Sequence, residues 1–371
     1  MRTTARAGLA GALALGSALG CASSAVHDDA QSSGGAGGDG AKQSALQLTV
    51  GPDSRTFVEL AGPSLVEVKG NGERSIAWDI ALEGRDVFVN GGISGPGAGS
   101  AFGPLAAPTY LSDTAPQVPF MLSDRAGGAL LDWYEYVGSL HQLFSRYHVY
   151  GLRDGARLFK LQVLSYYGEQ LGAPVSALYH VRYAEVTEAG TGPVHDVADI
   201  DAVAGGTKSD DTQPSGCLEL DSEAVTLLTP AEAAVSDAWQ LCFRREGISV
   251  NGGLSGPRGM AAVDLQAALT SDETEADLTA RTAASEQGLF DEQDFAALSA
   301  PGLVYASDGI VTAFGPRWLE PGSQPLALSD SAWLVIGADG ASNYLLRFSA
   351  LSGDPAVEPA TLRLEAKTVL R

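Results

Sequence analysis

One segment of this chain occurs twice. Val89-Asn90-Gly91-Gly92-Ile93-Ser94-Gly95-Pro96 returns as Val250-Asn251-Gly252-Gly253-Leu254-Ser255-Gly256-Pro257. Each follows a tryptophan-led run, Trp78-Asp79-Ile80-Ala81-Leu82 and Trp239-Gln240-Leu241-Cys242-Phe243, with the same Trp-to-Asn spacing (78 to 90, 239 to 251). An internal repeat constrains architecture more than composition does, because the same structural unit must be built twice. The copies match again further on. Trp133 falls on Trp318, Asp154-Gly155-Ala156 on Asp339-Gly340-Ala341, and Phe159, Leu161 and Val163 on Tyr344, Leu346 and Phe348. The offset rises from 161 to 185 between the two matched blocks, so the second copy carries 24 additional residues within about 260–301. That stretch is rich in Ala, Glu, Asp and Thr and reads as partly helical, for example from Glu273 to Ser285.

The matched blocks read as strands. Trp78, Ile80 and Leu82 alternate with Asp79, Ala81 and Glu83, and Phe159, Leu161 and Val163 alternate with Lys160 and Gln162. A period of two places one set inward and the other toward solvent. The second copy keeps the pattern, with Trp239, Leu241 and Phe243 inward and Gln240, Cys242 and Arg244 outward. Asn90-Gly91, Asn251-Gly252, Asp154-Gly155 and Asp339-Gly340 are hairpin signals, since type I′ turns need positive φ at both central residues. No helix follows these glycines directly, so they read as turn chemistry rather than a phosphate cradle. An opening strand pairs as well: Phe57-Val58-Glu59-Leu60 with Cys217-Leu218-Glu219-Leu220. Cys217 and Cys242 then fall on outward faces of strands in one copy, and a cross-strand disulfide is feasible if those strands are neighbours.

The expected fold is all-β, two tandem antiparallel β domains with a partly helical insertion in the second. The boundaries fall at 46–186 and 215–371, joined by an acidic linker at 187–214 rich in Gly, Asp, Ser and Pro. Its aspartates lack the register of an EF-hand calcium loop, so it reads as a solvated linker.

The first residues carry an export signal. Arg2 and Arg6 precede an apolar stretch from Gly8 to Leu19 that is too short to span a bilayer. Ala18-Leu19-Gly20-Cys21 is similar to a lipobox, which makes residues 1–20 a lipoprotein signal peptide and Cys21 the lipidated residue. A plain secretory leader with an incidental cysteine is the alternative. Residues 21–45, with their Gly-rich run, would be a flexible tether. A net charge of −22 disfavours nucleic acid and anionic lipid as partners. Membrane contact is therefore expected through the lipid anchor alone, at the outer membrane or cell surface.

Chemistry-bearing residues are sparse. Of five histidines, His27 lies in the tether, His195 in the linker, and His141, His148 and His180 in the first copy; the second copy has none. His148 falls opposite Trp333 at the 185-residue offset and reads as a packing position, as His180 does within a strand. His141 lies in a loop. No zinc-ligand spacing and no Gly-x-Ser-x-Gly nucleophile elbow is present, so no enzyme is expected.

The Trp78-Asp79-Ile80-Ala81-Leu82 run followed by Val89 to Gly95, with Trp133-Tyr134-Glu135-Tyr136, Tyr147 to Leu152 and Leu158 to Gly168 beyond, resembles the signature of the HmuY family over most of the first copy, and less closely over the second. That resemblance implies an all-β surface lipoprotein that captures haem between β-hairpins through paired His or Met axial ligands, for iron acquisition. The candidate axial residues are His141 and Met121 in the first copy and Met260 in the second, with haem or a haem-carrying protein as the partner. The alternative is a non-catalytic surface module that binds another ligand or a protein.

Overall fold

The computed structural model describes residues 44–70, 72, 74–203 and 212–371. The expected signal peptide, Cys21, His27 and nearly all of the expected tether lie outside the described residues. The protein is all-β. In chain order the strands are β1 (Ser44–Val50), β2 (Thr56–Glu59), β3 (Ser64–Val66), β4 (Ile80–Glu83), β5 (Asp86–Val89), β6 (Ser100–Ala106), β7 (Arg125–Gly127), β8 (Tyr134–Val137), β9 (Gln142–Ser145), β10 (Val149–Asp154), β11 (Arg157–Gln170) and β12 (Ala173–Thr187). There follow β13 (Gly190–Thr191), β14 (His195–Asp201), β15 (Ser215–Leu218), β16 (Val225–Leu228), β17 (Leu241–Arg244), β18 (Gly247–Val250), β19 (Ala261–Asp264), β20 (Gly309–Val311), β21 (Ser331–Ile336), β22 (Asn343–Ser352) and β23 (Ala360–Thr368). Short helices α1 (Pro230–Ala233), α2 (Glu275–Ala280), α3 (Gln287–Glu292) and α4 (Phe295–Leu298) complete the set, the last three within the insertion.

The repeat governs the sheets but not in the way the chain-order boundaries imply. One core joins the four-stranded sheet β3-β2-β4-β5 to the sheet β1-β23-β22-β21-β6. In it Leu48, Ile80 and Val87 of the first copy pack with Trp333, Leu346 and Leu364 of the second. The other core joins the sheet β16-β15-β17-β18 to β12-β11-β10-β19, with β14 beside β12. There Leu218, Leu241 and Val250 of the second copy pack with Tyr150, Leu161 and Val181 of the first. Residues 46–186 and 215–371 therefore do not each enclose a core. The outer lobe is built from both ends of the described chain, and the inner lobe, about 125–308, is inserted within it. Strands that share one alternation fit either core equally well, so periodicity cannot choose the partner.

The linker expected at 187–214 is partly structured. Its β14 pairs with β12 as β1 pairs with β23, and Ile200 and Ala202 are buried in the inner core. Register also corrects one alignment. Trp333 pairs with Leu346 as Tyr150 pairs with Leu161, so Trp333 is equivalent to Tyr150, and His148 to Ser331. The cause is loop length: two residues, Gly155 and Ala156, close the β10–β11 hairpin, whereas 337–342 close β21–β22.

The Asn-Gly-Gly segments are not type I′ hairpins. Asn90 and Asn251 are wholly buried, and their amides donate to the Ser75 and Trp78 carbonyls and to the Ser236 and Trp239 carbonyls. Each side-chain oxygen accepts from a following backbone N–H, that of Gly97 or Arg258. Gly92 and Gly253 take φ of +62°, and a Cβ there would sit 1.8 and 1.9 Å from the carbonyl oxygens of Asp124 and Asp308. The motif is thus a scaffold that seats these two aspartates. Asp124 accepts from Val89 and Ala313 N–H, and Asp308 from Val250 and Ala129 N–H, binding each crossing segment to its lobe.

The crossing itself is symmetric. β7 pairs antiparallel with β20, Ala126 opposite Ile310, so the two copies meet at a local pseudo-twofold axis. Trp133 donates to the Glu246 carbonyl and Trp318 to the Arg85 carbonyl, the same contact in each lobe.

Two inward-outward expectations change. Trp78 and Trp239 leave the faces of their strand neighbours. Trp78 packs with Phe57, Ala81 and Phe88, and Trp239 with Cys217 and Ala233, on the side of each four-stranded sheet away from its main core. Lys160 and Gln162 are buried rather than solvated, because the insertion covers them. Lys160 donates to the Phe290 carbonyl, and Gln162 to those of Tyr147 and Glu286.

Candidate functional site

The two four-stranded sheets share a backbone plan and differ in what stands on their outer faces. Across β2-β4-β5 the register places Phe57, Ala81 and Phe88 in a row. Across β15-β17-β18 the same row reads Cys217, Cys242 and Ser249. On the first sheet Ile310 packs onto the cluster of Phe57, Trp78, Ala81 and Phe88. Its counterpart across the pseudo-twofold axis is Ala126. Large apolar side chains thus fill one outer face, and at three equivalent positions the other carries Cys217, Ser249 and Ala126.

Ala126, Cys217, Cys242 and Ser249 line a cavity of about 570 Å³, more recessed than the open hollows of about 1000 and 500 Å³ that border Phe57 and Phe88 on the other face. The cavity's volume lies within the roughly 300–1,000 Å³ range of small-molecule sites. Met121, Leu122, Leu228, Ile93 and Leu254 add apolar wall, the last two from the two Asn-Gly-Gly segments. Polar groups are few: Arg125, Arg244, Glu246, four serines and Asp124. Asp124 is 2% exposed, and its burial pushes its carboxyl up to about 6 against the lowering effect of the backbone N–H groups it accepts from. Burial raises Asp308 likewise.

Cys217 and Cys242 form a disulfide on the cavity wall, between directly opposed residues with a Cα–Cα distance of 4.0 Å. Both stand on the outer face of the sheet, though Cys217 is buried by Trp239 and Ala233 rather than solvated.

The expected haem ligands do not converge. Met121 lines the cavity and packs beside the Tyr110 cluster. Met260 is wholly buried in the inner core, its backbone N–H donating to Asn251. His141 is exposed at the turn between β8 and β9, with φ of +54° and Nδ1 3.1 Å from the Tyr136 hydroxyl. Paired axial ligation by these three residues is not what the arrangement provides, because they lie on three separate parts of the fold.

His148 is a structural residue. It is buried, with Nδ1 2.8 Å from Asp264 and Nε2 3.2 Å from Glu273. Glu273 also pairs with Arg146 and Arg281. Burial alone would raise its carboxyl, but the hydrogen bonds from the two arginines outweigh it and hold Glu273 below the usual carboxylate range. This network fastens the insertion to β10 and its approach. His180 and His195 are engaged by Asp196 and Glu223.

Sequence reasoning missed Ala126, Ser249 and Arg125 as wall residues. The large-to-small differences were visible in the repeat, but only register shows that they fall on one spot. Among the described residues, no group of three or more His, Cys, Asp or Glu is placed to hold a metal ion, and no helix is long and apolar enough to cross a membrane. No protein-family model matches the chain, and no curated protein matches it.

Proposed function

We propose that this chain is an exported, non-catalytic binding protein whose ligand is a small molecule held in the cavity between β7 and the outer face of the β16-β15-β17-β18 sheet. The observation that carries this reading is the exchange of Phe57, Phe88 and Ile310 for Cys217, Ser249 and Ala126 at equivalent positions. The cavity is less open to solvent than the hollows beside Phe57 and Phe88, and a recessed, largely apolar wall braced by a disulfide is a surface suited to an occupant. The leader-like residues 1–20 and Cys21 support export and a lipid anchor at the outer membrane or cell surface. The test is binding of 8-anilinonaphthalene-1-sulfonate, whose emission rises in apolar sites. Ser249→Phe restores the bulk of Phe88 and should abolish the enhancement; equal emission from both proteins would sink the reading.

Met121 in the cavity wall favours a second reading, in which haem occupies this cavity with a single thioether on one face. It predicts a Soret band on adding haem to the full chain and its loss in Met121→Ala. A spectrum identical to free haem excludes it.

A further inference from the structure

The filled and hollow faces differ in charge as well as in bulk. On the filled face Glu83 and Asp86 stand at the positions equivalent to Arg244 and Gly247 on the hollow one. Gly247 makes room for a cation. A Cβ built on it would lie 2.5 Å from Nη1 of Arg125, so the Arg125 guanidinium rests where the Asp86 side chain stands on the other sheet. Arg125 in turn is equivalent to Gly309 across the β7–β20 pair. The filled face carries Arg55, paired with Glu83, beside Asp86; the hollow face has Ser215 in place of Arg55, has lost both carboxylates, and carries Arg244 and Arg125, the latter from a position that has no side chain in the other copy.

Arg125 has no carboxylate within ion-pair distance among the described residues, although Asp and Glu together number 45 in the chain. Arg244 is braced by the Gln213 carbonyl at 2.6 Å. The opposing charge is modest. Glu246 replaces Arg85 at the rim, and the Asp124 carboxylate is taken up by the N–H groups of Val89 and Ala313. A guanidinium beside an apolar wall binds an oxyanion strongly, because its planar donors match a carboxylate and the wall limits competing water.

Building on the cavity reading above, we infer that its ligand is a small organic acid with an apolar body, the body lying on Met121, Leu122, Leu254 and the disulfide and the acid group meeting Arg125. The ligand enters with its anionic end toward β7 and the Arg244 edge. Long-range repulsion from a chain of net charge −22 slows its approach, and the short-range guanidinium contact sets its affinity.

The experiment is displacement of 8-anilinonaphthalene-1-sulfonate from the full chain by decanoate and by decan-1-ol. Decanoate should compete about 10-fold or more better, as expected for one charge-assisted hydrogen-bonded contact. Arg125→Gln should remove that preference and leave decan-1-ol unchanged. Equal competition by the two, unaltered in Arg125→Gln, overturns the ligand class while the cavity stands. If Ser249→Phe, and independently Ala126→Ile, keep full decanoate binding with native circular dichroism, the cavity is not the site and the inference falls with it. Loss of decanoate and decan-1-ol together in those two variants supports it.

Discussion

The outer faces of the two four-stranded sheets have one backbone plan and opposite solutions to the same packing problem. On β3-β2-β4-β5, Phe57 lies against Trp78 edge-on at 5.3 Å, and Phe88 lies under the Arg55 guanidinium at 3.9 Å. On β16-β15-β17-β18 the bulk has gone, and a covalent bridge stands where Phe57 meets Ala81. The difference teaches that a duplicated scaffold can shed bulk from the outer face of one copy where a covalent bridge holds the strands together. Closely opposed residues in an antiparallel pair are near enough for such a bridge.

The largest expected effect tests whether the filled face is a packing element. Phe88→Ala should cost about 3–5 kcal/mol by denaturant unfolding, as for buried aromatic truncations generally, whereas Ser249→Ala should stay within about 0.5 kcal/mol. Similar losses at both positions would mean that the faces are not different in kind. Next, Cys217→Ala with Cys242→Ala should lower stability by about 2–4 kcal/mol. No change in the unfolding midpoint would show that the hollow face needs no brace.

The third effect concerns the carboxylate that both the motif and the crossing depend on. Burial raises Asp124 from 3.8 to about 6, so the folded state binds its proton more tightly than the unfolded chain does. The associated stability is fully present below about pH 4 and is lost as pH rises through 6, on the order of 2–3 kcal/mol for this group. Asp124→Asn should flatten that part of the curve of unfolding free energy against pH; an unaltered slope would assign it elsewhere. Burial raises Asp308 too, so the trend belongs to both lobes. The smallest effect is Ala126→Ile, which transplants the filling residue into the hollow face. It should shift stability by less than about 1 kcal/mol in either direction, since it fills space but must fit existing walls. A loss of several kcal/mol would mean that the cavity is too tight to be a site.

Much of this was legible in the sequence. The repeat, the all-β class, the cross-strand cysteine neighbours and the helical insertion follow from local periodicity and spacing. The exchange of partners between copies does not, because Leu82 and Phe243 alternate in the same way whichever sheet faces them. Asn90 was misread for a related reason: Asn-Gly is a turn signal, and only burial reveals an amide serving two carbonyls. Lys160 and Gln162 looked solvated because the covering residues, Phe290 and Glu286, lie more than 120 positions away. The cavity needed register, which no single strand carries.

The nested topology has a mechanical consequence. The first described strand, β1, lies antiparallel to β23, with Ser44 beside Ala366, and the inner lobe enters and leaves through β7 and β20, with Arg125 beside Val311. Tension applied at the two ends therefore meets two zippers in series. The outer ladder is peeled bond by bond, and the inner lobe bears no load until that ladder has opened. A force–extension trace should show two ordered steps, the second carrying the disulfide's shortened contour, and the cavity should be lost with the first, because Ile93, Met121 and Leu122 of its wall belong to the outer lobe.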